Sequence, residues 1–225
     1  MPLYKTLKPN KKTIVLVWKI SESLSELESI FTNKNSENRL AAMQSKMHRK
    51  GFLSVRHLLK VAGYTDDDLF YTDDGKPHLK DGKRISITHS FNFSAIIISN
   101  EVVGIDIEKN REKIIKIAPK FLGKELEYID SDLRAFHNTE APFFIKTEES
   151  KTELIKRLTM IWGGKESLYK IHPDGGLLFK KHLEIEKFYA FNKKSKGWIK
   201  KEHCYEIYDI YFENFEGFSL VYAMS

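Results

Sequence analysis

Cysteine occurs once, at Cys204, in a chain of 225 residues. A single thiol excludes an internal disulfide and any zinc site built from cysteines. It fits a reducing compartment, where free thiols persist. Long apolar runs are also missing. The stretch Thr13-Ile14-Val15-Leu16-Val17-Trp18, flanked by Lys11, Lys12 and Lys19, is too short for a signal-peptide core or a membrane span. It suits a buried, β-branched strand instead. The expectation is a soluble, cytoplasmic protein with no membrane partner. No low-complexity tract occurs, and there is no zinc finger, aromatic RNA-binding motif or clear helix-turn-helix signature. These absences weigh against nucleic acid, which the charge alone would allow. Lys+Arg number 37 against 31 Asp+Glu, and the pI is near 9.1. Such an excess suggests a polyanionic partner: nucleic acid, a phosphorylated cofactor or an acidic protein.

The 41% hydrophobic content is enough for one large domain or two small lobes. Ser23-Leu24-Ser25-Glu26 has the spacing of a capping box. Asn33 to Glu37 reads as a polar loop. A long helical pattern follows from about Arg39 to Val61, with Gly51 as a possible break and a basic polar side. Asp73-Asp74-Gly75-Lys76-Pro77 is a turn by composition. Strands are expected at Ile85–Thr88, Phe93–Ser99 and Val102–Glu108, the last two joined by a tight hairpin at Asn100-Glu101. Arg111–Ile129 and Leu154–Ile171 are helical in pattern, with an irregular insertion at 130–150. Leu183–Phe191, Tyr205–Phe212 and Phe218–Ala223 read as strands. Phe93-Ser94-Ala95-Ile96-Ile97 and Phe218-Ser219-Leu220-Val221-Tyr222 look alike and suggest an internal repeat.

Two stretches carry chemistry. In VVGIDIEKN, residues 102–110, Asp106 and Glu108 share one face of a strand while Ile105 and Ile107 take the other. Two carboxylates so close need a cation between them or water around them. A hard divalent metal, Mg2+ first, is one reading, and an edge strand with a solvated face is the other. In WGGKESLYK, residues 162–170, Glu166 and Lys170 share a helix face and Lys165 points about a quarter turn away. A surface Glu–Lys pair is the ordinary meaning of that spacing. The two glycines before it suggest close approach of another backbone or a ligand. ISITHS, residues 85–90, sets His89 between two hydroxyls, and GKP places Lys76 and Pro77 in a turn.

Taken in order, GKPHL, ITHS, VGIDIE and WGGKESLYK resemble the motifs of the 4′-phosphopantetheinyl transferase superfamily, of the longer, surfactin-synthetase-activating type. The resemblance spans about residues 49–170. Thr88 stands where the family more often has serine, and the gap from Asp106 to Trp162 is longer than usual, which places the insertion at about 130–150. The resemblance implies an α+β fold of two similar lobes related by pseudo-twofold symmetry, each with helices packed on an antiparallel sheet. The lobes are expected at 1–104, with the coenzyme A adenine and phosphate contacts, and 105–225, with the metal and catalytic residues. It implies a monomeric enzyme that moves phosphopantetheine from coenzyme A to a serine of an apo carrier protein, for fatty-acid, polyketide or nonribosomal peptide synthesis. The implied metal ligands are Asp106, Glu108 and Glu166, binding Mg2+ or Mn2+. Glu166 and Lys170 are the implied catalytic residues. Arg49, Arg56, Lys76, Pro77, Thr88, His89 and Lys165 are the implied coenzyme contacts, with Arg56 fitting the family pattern better than Arg49 for the 3′-phosphate. The implied acceptor shows an acidic helix beside its serine, which Lys113, Lys116, Lys120 and Lys124 would meet. A non-catalytic carrier-protein binder of the same fold, and a basic nucleic-acid-binding protein, are the alternatives.

Overall fold

The computed structural model describes residues 3–30, 32–129, 148–173, 175–201 and 204–225. They form an α+β protein with antiparallel sheets. The chain divides into two compact units, Met1–Ile107 and Glu108–Ser225. Among the described residues no helix is long and apolar enough to cross a membrane.

The first unit is built on a four-stranded sheet of order β1-β2-β6-β5, comprising Leu3–Asn10, Thr13–Lys19, Phe93–Ser99 and Arg84–Ser90. β-branched residues make β2 and β6 good inner strands, and every residue of β6 is buried. Leu16 and Ile87 flank Ile96 in register. The hydroxyls of Thr13 and Ser99 meet at 2.7 Å in the same ladder. β1 escapes a hydrophobic scan because only alternate residues of LYKTLKPN are half-buried. The expected hairpin at Asn100-Glu101 does not form. β2 and β5 occupy both edges of β6, so the hairpin partner of β6 is β5.

The helices show what the sequence signals were worth. The capping box at Ser23 and Glu26 is present and opens α1, Leu24–Leu27. Asn33 is an N-cap rather than part of a loop, accepting from the Ser36 amide and starting α2, Lys34–Ala42. The long helical pattern breaks not at Gly51 but at Met43–Ser45. There Ser45 caps a new helix, α3, Lys46–Val61. Leu53, Leu58 and Leu59 of α3 are at most 1% exposed, each contributing about 1.5–3 kcal/mol by burial. A short hairpin, β3 Leu69–Tyr71 with β4 Pro77–Leu79, follows the helix.

Arg56 lies inside this unit. Its side chain and that of Asp66 are both 2% exposed and meet at 3.0 Å. A second guanidinium nitrogen donates to Ser36 Oγ, and the plane lies over the Phe52 ring, 3.5 Å from its centroid. Asp66 also accepts from the Asn33 amide. The pair thus ties α3 to the start of α2.

The second unit has a five-stranded sheet of order β7-β11-β10-β9-β8. β7 is Val103–Lys109, whose last two residues lie in this unit, and β8 to β11 are Leu183–Ile185, Lys194–Lys201, Cys204–Phe215 and Phe218–Met224. Its helices include α4 Lys113–Phe121, α5 Glu148–Ile171 and the short α6 Phe179–His182. α5 buries Leu154, Leu158, Ile161 and Leu168 in one core with Ile185, Ile199, Ile210 and Val221 of the sheet. A Cβ on Gly164 would lie 2.9 Å from Ile185 Cδ1. That glycine serves close packing against the sheet, not a ligand. The helical stretch expected from 111 to 129 is interrupted after Phe121, where the chain turns at Leu122, and residues 126–129 are helical again. The expected insertion at 130–150 lies outside the described residues as far as 147; Glu148 opens α5. The Leu183–Phe191 segment is strand only to Ile185. Beyond it Phe188 and Ala190 are buried, Phe188 stacking on Phe212, so a core-facing loop imitates strand alternation. The lysine-rich β9 was not expected.

The internal likeness survives locally. β6 and β11 both begin Phe-Ser, are buried throughout and sit inside their sheets. Each follows a tight turn with a residue of positive φ, Phe91 or Glu216.

Removing one partner of a buried ion pair leaves a charge uncompensated. Arg56→Ala is therefore expected to cost about 3–5 kcal/mol of unfolding free energy. Arg49→Ala, whose pair with Glu28 is about a third exposed on each side, should cost under about 1 kcal/mol. Urea denaturation of both variants checks the contrast, and similar small losses would refute it.

Candidate active site

β7 carries the two acids. Ile105 and Ile107 are at most 1% exposed, as the alternation predicts, and Asp106 is 6% exposed. Glu108 is half-buried. The backbone of β7 is held by side chains of β5. The Ile105 amide donates to Ser86 Oγ at 3.2 Å and the Ile107 amide to Thr88 Oγ1 at 3.2 Å. Thr88 Oγ1 in turn donates to Asp106 Oδ1 at 3.1 Å. A hydroxyl has one proton to give, and here it goes to Asp106. Thr88 therefore orients a carboxylate from a buried position. Ser86 plays the companion role and was not singled out in the sequence. Its signal was there, in the hydroxyl–apolar alternation of ISIT.

A cavity of about 140 Å3 lies in the second unit. Glu108 lines it together with Lys109, Arg111 and Lys113, while Ile114, Ile117, Thr159 and Trp162 form the rest of its wall. Trp162 is fixed edge-on against Phe121 at 5.2 Å and tilted against Phe179 at 5.2 Å. Thr159, Trp162, Glu166 and Lys170 follow at helical spacing along one face of α5. Glu166 and Lys170 are half-buried and continue the stripe that walls the cavity.

Lys165 faces the other way. Its side chain is fully buried, as is that of Glu125, and the two meet at 2.8 Å. The ammonium also donates to the carbonyls of Phe121 and Phe179. All three of its protons are engaged, so Lys165 is an anchor and not a coenzyme contact. Burial pulls its pKa below the ordinary lysine value, against the opposing pull of Glu125. Glu125 also accepts from the Ile185 and Gly123 amides, so the pair joins α5 to β8 and to the turn after α4. Arg56 is likewise engaged with Asp66 and Ser36 and has no donor facing solvent.

The remaining expected contacts lie in the first unit. Arg49 is partly exposed and pairs with Glu28 at 2.8 Å. His89, at the end of β5, lies against α3. A Cβ on Gly51 would come within 3.0 Å of the His89 ring, which explains a glycine in the middle of a helix. Lys76 and Pro77 are half-buried in the β3–β4 hairpin, whose turn is closed by the Thr72 amide donating to the Lys76 carbonyl and by Gly75 at positive φ.

The acids on β7 and α5 are hard oxygen donors, which fit Mg2+ or Mn2+ and not a softer ion. Among the described residues, no three His, Cys, Asp or Glu side chains are gathered as a ready metal cluster.

Loss of the Thr88 hydroxyl leaves the Ile107 amide and Asp106 without that partner. Thr88→Val should cost about 1–3 kcal/mol, whereas Thr88→Ser keeps the hydroxyl and most of the stability. Equal urea midpoints for the two variants would refute the clamp.

No family model matches the chain. It is similar to the 4′-phosphopantetheinyl transferase gsp of Aneurinibacillus migulanus, at 29% identity over 172 residues. The match covers 75% of this chain and 64% of the relative. The likeness to the 4′-phosphopantetheinyl transferase superfamily, first legible in four motifs, thus extends over three quarters of the sequence.

Proposed function

We propose that this protein transfers the 4′-phosphopantetheine group of coenzyme A to a serine of an apo carrier protein, acting as a cytoplasmic monomer. The observation that carries the reading is β7. Asp106 is locked by Thr88, and two residues on, Glu108 enters a cavity with a cationic and an apolar wall. Such a lining suits a phosphorylated ligand with an apolar arm. The sequence likeness supports the same conclusion.

In the proposed reaction the serine oxygen bonds to the phosphorus next to pantetheine. The bond from that phosphorus to the bridging oxygen breaks, and adenosine 3′,5′-bisphosphate leaves with the oxygen. Glu166 takes the serine proton. Lys170, with the cationic side chains of the cavity wall, holds the pyrophosphate as charge moves to the leaving oxygen. Asp106, Glu108 and Glu166 would hold Mg2+ or Mn2+. When bound, such an ion neutralises pyrophosphate charge and helps align attack. Lys76 and Pro77 hold the adenine, and Arg49 and His89 the 3′-phosphate. Arg49 takes the place that the family pattern suggested for Arg56, because its guanidinium reaches the surface.

The deciding assay mixes purified protein, coenzyme A, Mg2+ and a panel of apo carriers, read by intact mass. A carrier gaining phosphopantetheine is expected. Carrier binding without any mass gain would favour a non-catalytic binder instead. Asp106→Asn, Glu108→Gln and Glu166→Gln should each reduce transfer, the last by about 100–10,000-fold if Glu166 is the base. Chelation should stop transfer, and added Mg2+ or Mn2+ should restore it. Near wild-type rates in any two of these variants at limiting Mg2+ would refute the assignment.

α4 supplies a docking surface for an acidic carrier. Lys113, Lys116 and Lys120 are exposed on it, whereas Lys124 is drawn to Glu184 at 3.4 Å. Attraction between exposed charges acts mainly on association and is screened over about 8 Å at physiological salt. Lys116→Glu with Lys120→Glu should raise KM for the carrier at low salt and leave coenzyme A affinity unchanged. An unchanged carrier KM at low salt would move the docking surface off α4.

A further inference from the structure

We infer that His48 is a third contact for the 3′-phosphate of coenzyme A, beside His89 and Arg49. The identity of the ligand rests on the proposed function; the anion-binding cluster rests on geometry within the first unit. The rings of His48 and His89 lie 5.8 Å apart at a tilt of 57°. His48 and Gly51 are three apart on α3 and so share a face, and the His89 ring lies over that face at Gly51. The glycine admits one imidazole, and His48 places a second beside it. Both histidines are exposed, so neither is held there by core packing.

Three further features make the place anionic in preference. α3 has 16 residues, and its first turn contains no acid. No acid of the helix itself therefore offsets the partial positive charge of its N-terminus, and Glu28, the carboxylate that meets this turn, is paired with Arg49. Arg49 follows His48 directly, and its Nε is buried without a hydrogen-bond partner among the described residues. Lys46 opens the same helix. Two imidazoles can also ligate a metal ion. However, no third His, Cys, Asp or Glu joins them among the described residues, and the adjacent Arg49 and Lys46 would repel a cation. A phosphate accepts hydrogen bonds from imidazole, ammonium and guanidinium groups alike.

The test is calorimetric titration of wild type, His48→Ala and His48→Arg with coenzyme A and with 3′-dephospho-coenzyme A. His48→Ala is expected to weaken coenzyme A about 10-fold, the lower end for one charge-assisted hydrogen bond, and to leave the dephospho compound unaffected. His48→Arg should retain the preference for the 3′-phosphate. Equal losses for both ligands, or none, in His48→Ala would overturn the inference. If the wild type binds no coenzyme A, the functional reading fails. Inorganic phosphate then becomes the probe: binding that His48→Ala abolishes supports the cluster, and binding that ignores His48 overturns it.

Discussion

The edge of β7 that faces β5 is held by two hydroxyls. β6 has both edges occupied, so it offers β7 no backbone ladder. Buried amides still need acceptors, and Ser86 and Thr88 provide them for Ile105 and Ile107. Because Thr88 then donates to Asp106, the group that positions the strand also positions its acid. An unmet buried amide or carboxylate costs about 1–3 kcal/mol, so these bonds have consequences for folding as well as for chemistry. Side chains on β5 alternate, and the strand serves two neighbours. Ser86 and Thr88 reach β7, while Ile85, Ile87 and His89 face the side on which α3 packs.

Buried ions have a different task in this protein from exposed ones. Arg56 and Lys165 each sit opposite a buried acid with their donors engaged. Taking such charges out of water is costly, and only complete pairing offsets the cost. A phosphate ligand would have to displace that pairing. His48 and His89 are exposed, and the Arg49–Glu28 pair is about a third exposed on each side, so a ligand reaching them displaces a weaker, partly solvated pairing. Exposure thus separates anchors from candidate contacts among residues that look equivalent in sequence.

Much of the architecture was readable from the sequence, and the failures have physical causes. Thr13–Trp18, Phe93–Ser99 and the Ser23 capping box were legible because local chemistry and tertiary structure agree there. β9 was not, because its lysines hide the buried Gly197 and Ile199. The Asn100-Glu101 hairpin failed because strand pairing is decided by partners distant in sequence. In the candidate site, the alternation around Asp106 was legible from period alone. The roles of Arg56 and Lys165 were not, since their partners Asp66 and Glu125 lie 10 and 40 positions away. Ser86 was legible in principle, as a hydroxyl two residues before Thr88 on the same strand face.

The adjacency of Lys165 and Glu166 now has a mechanical meaning. Successive helix residues differ in direction by about 100°, so fixing one fixes the bearing of the next. Lys165 is held by an acid and two carbonyls on the buried side of α5. One residue later, Glu166 continues the helical stripe of Thr159 and Trp162, the two residues of α5 that line the cavity. Gly164 lets the helix approach Ile185 closely, and the Lys165–Glu125 pair then fixes its rotation. A helix free to roll would turn the whole stripe away from the wall to which Glu108, Thr159 and Trp162 contribute. Gly164 and Lys165 therefore set the depth and rotation of α5 in turn, and with them the bearing of Glu166.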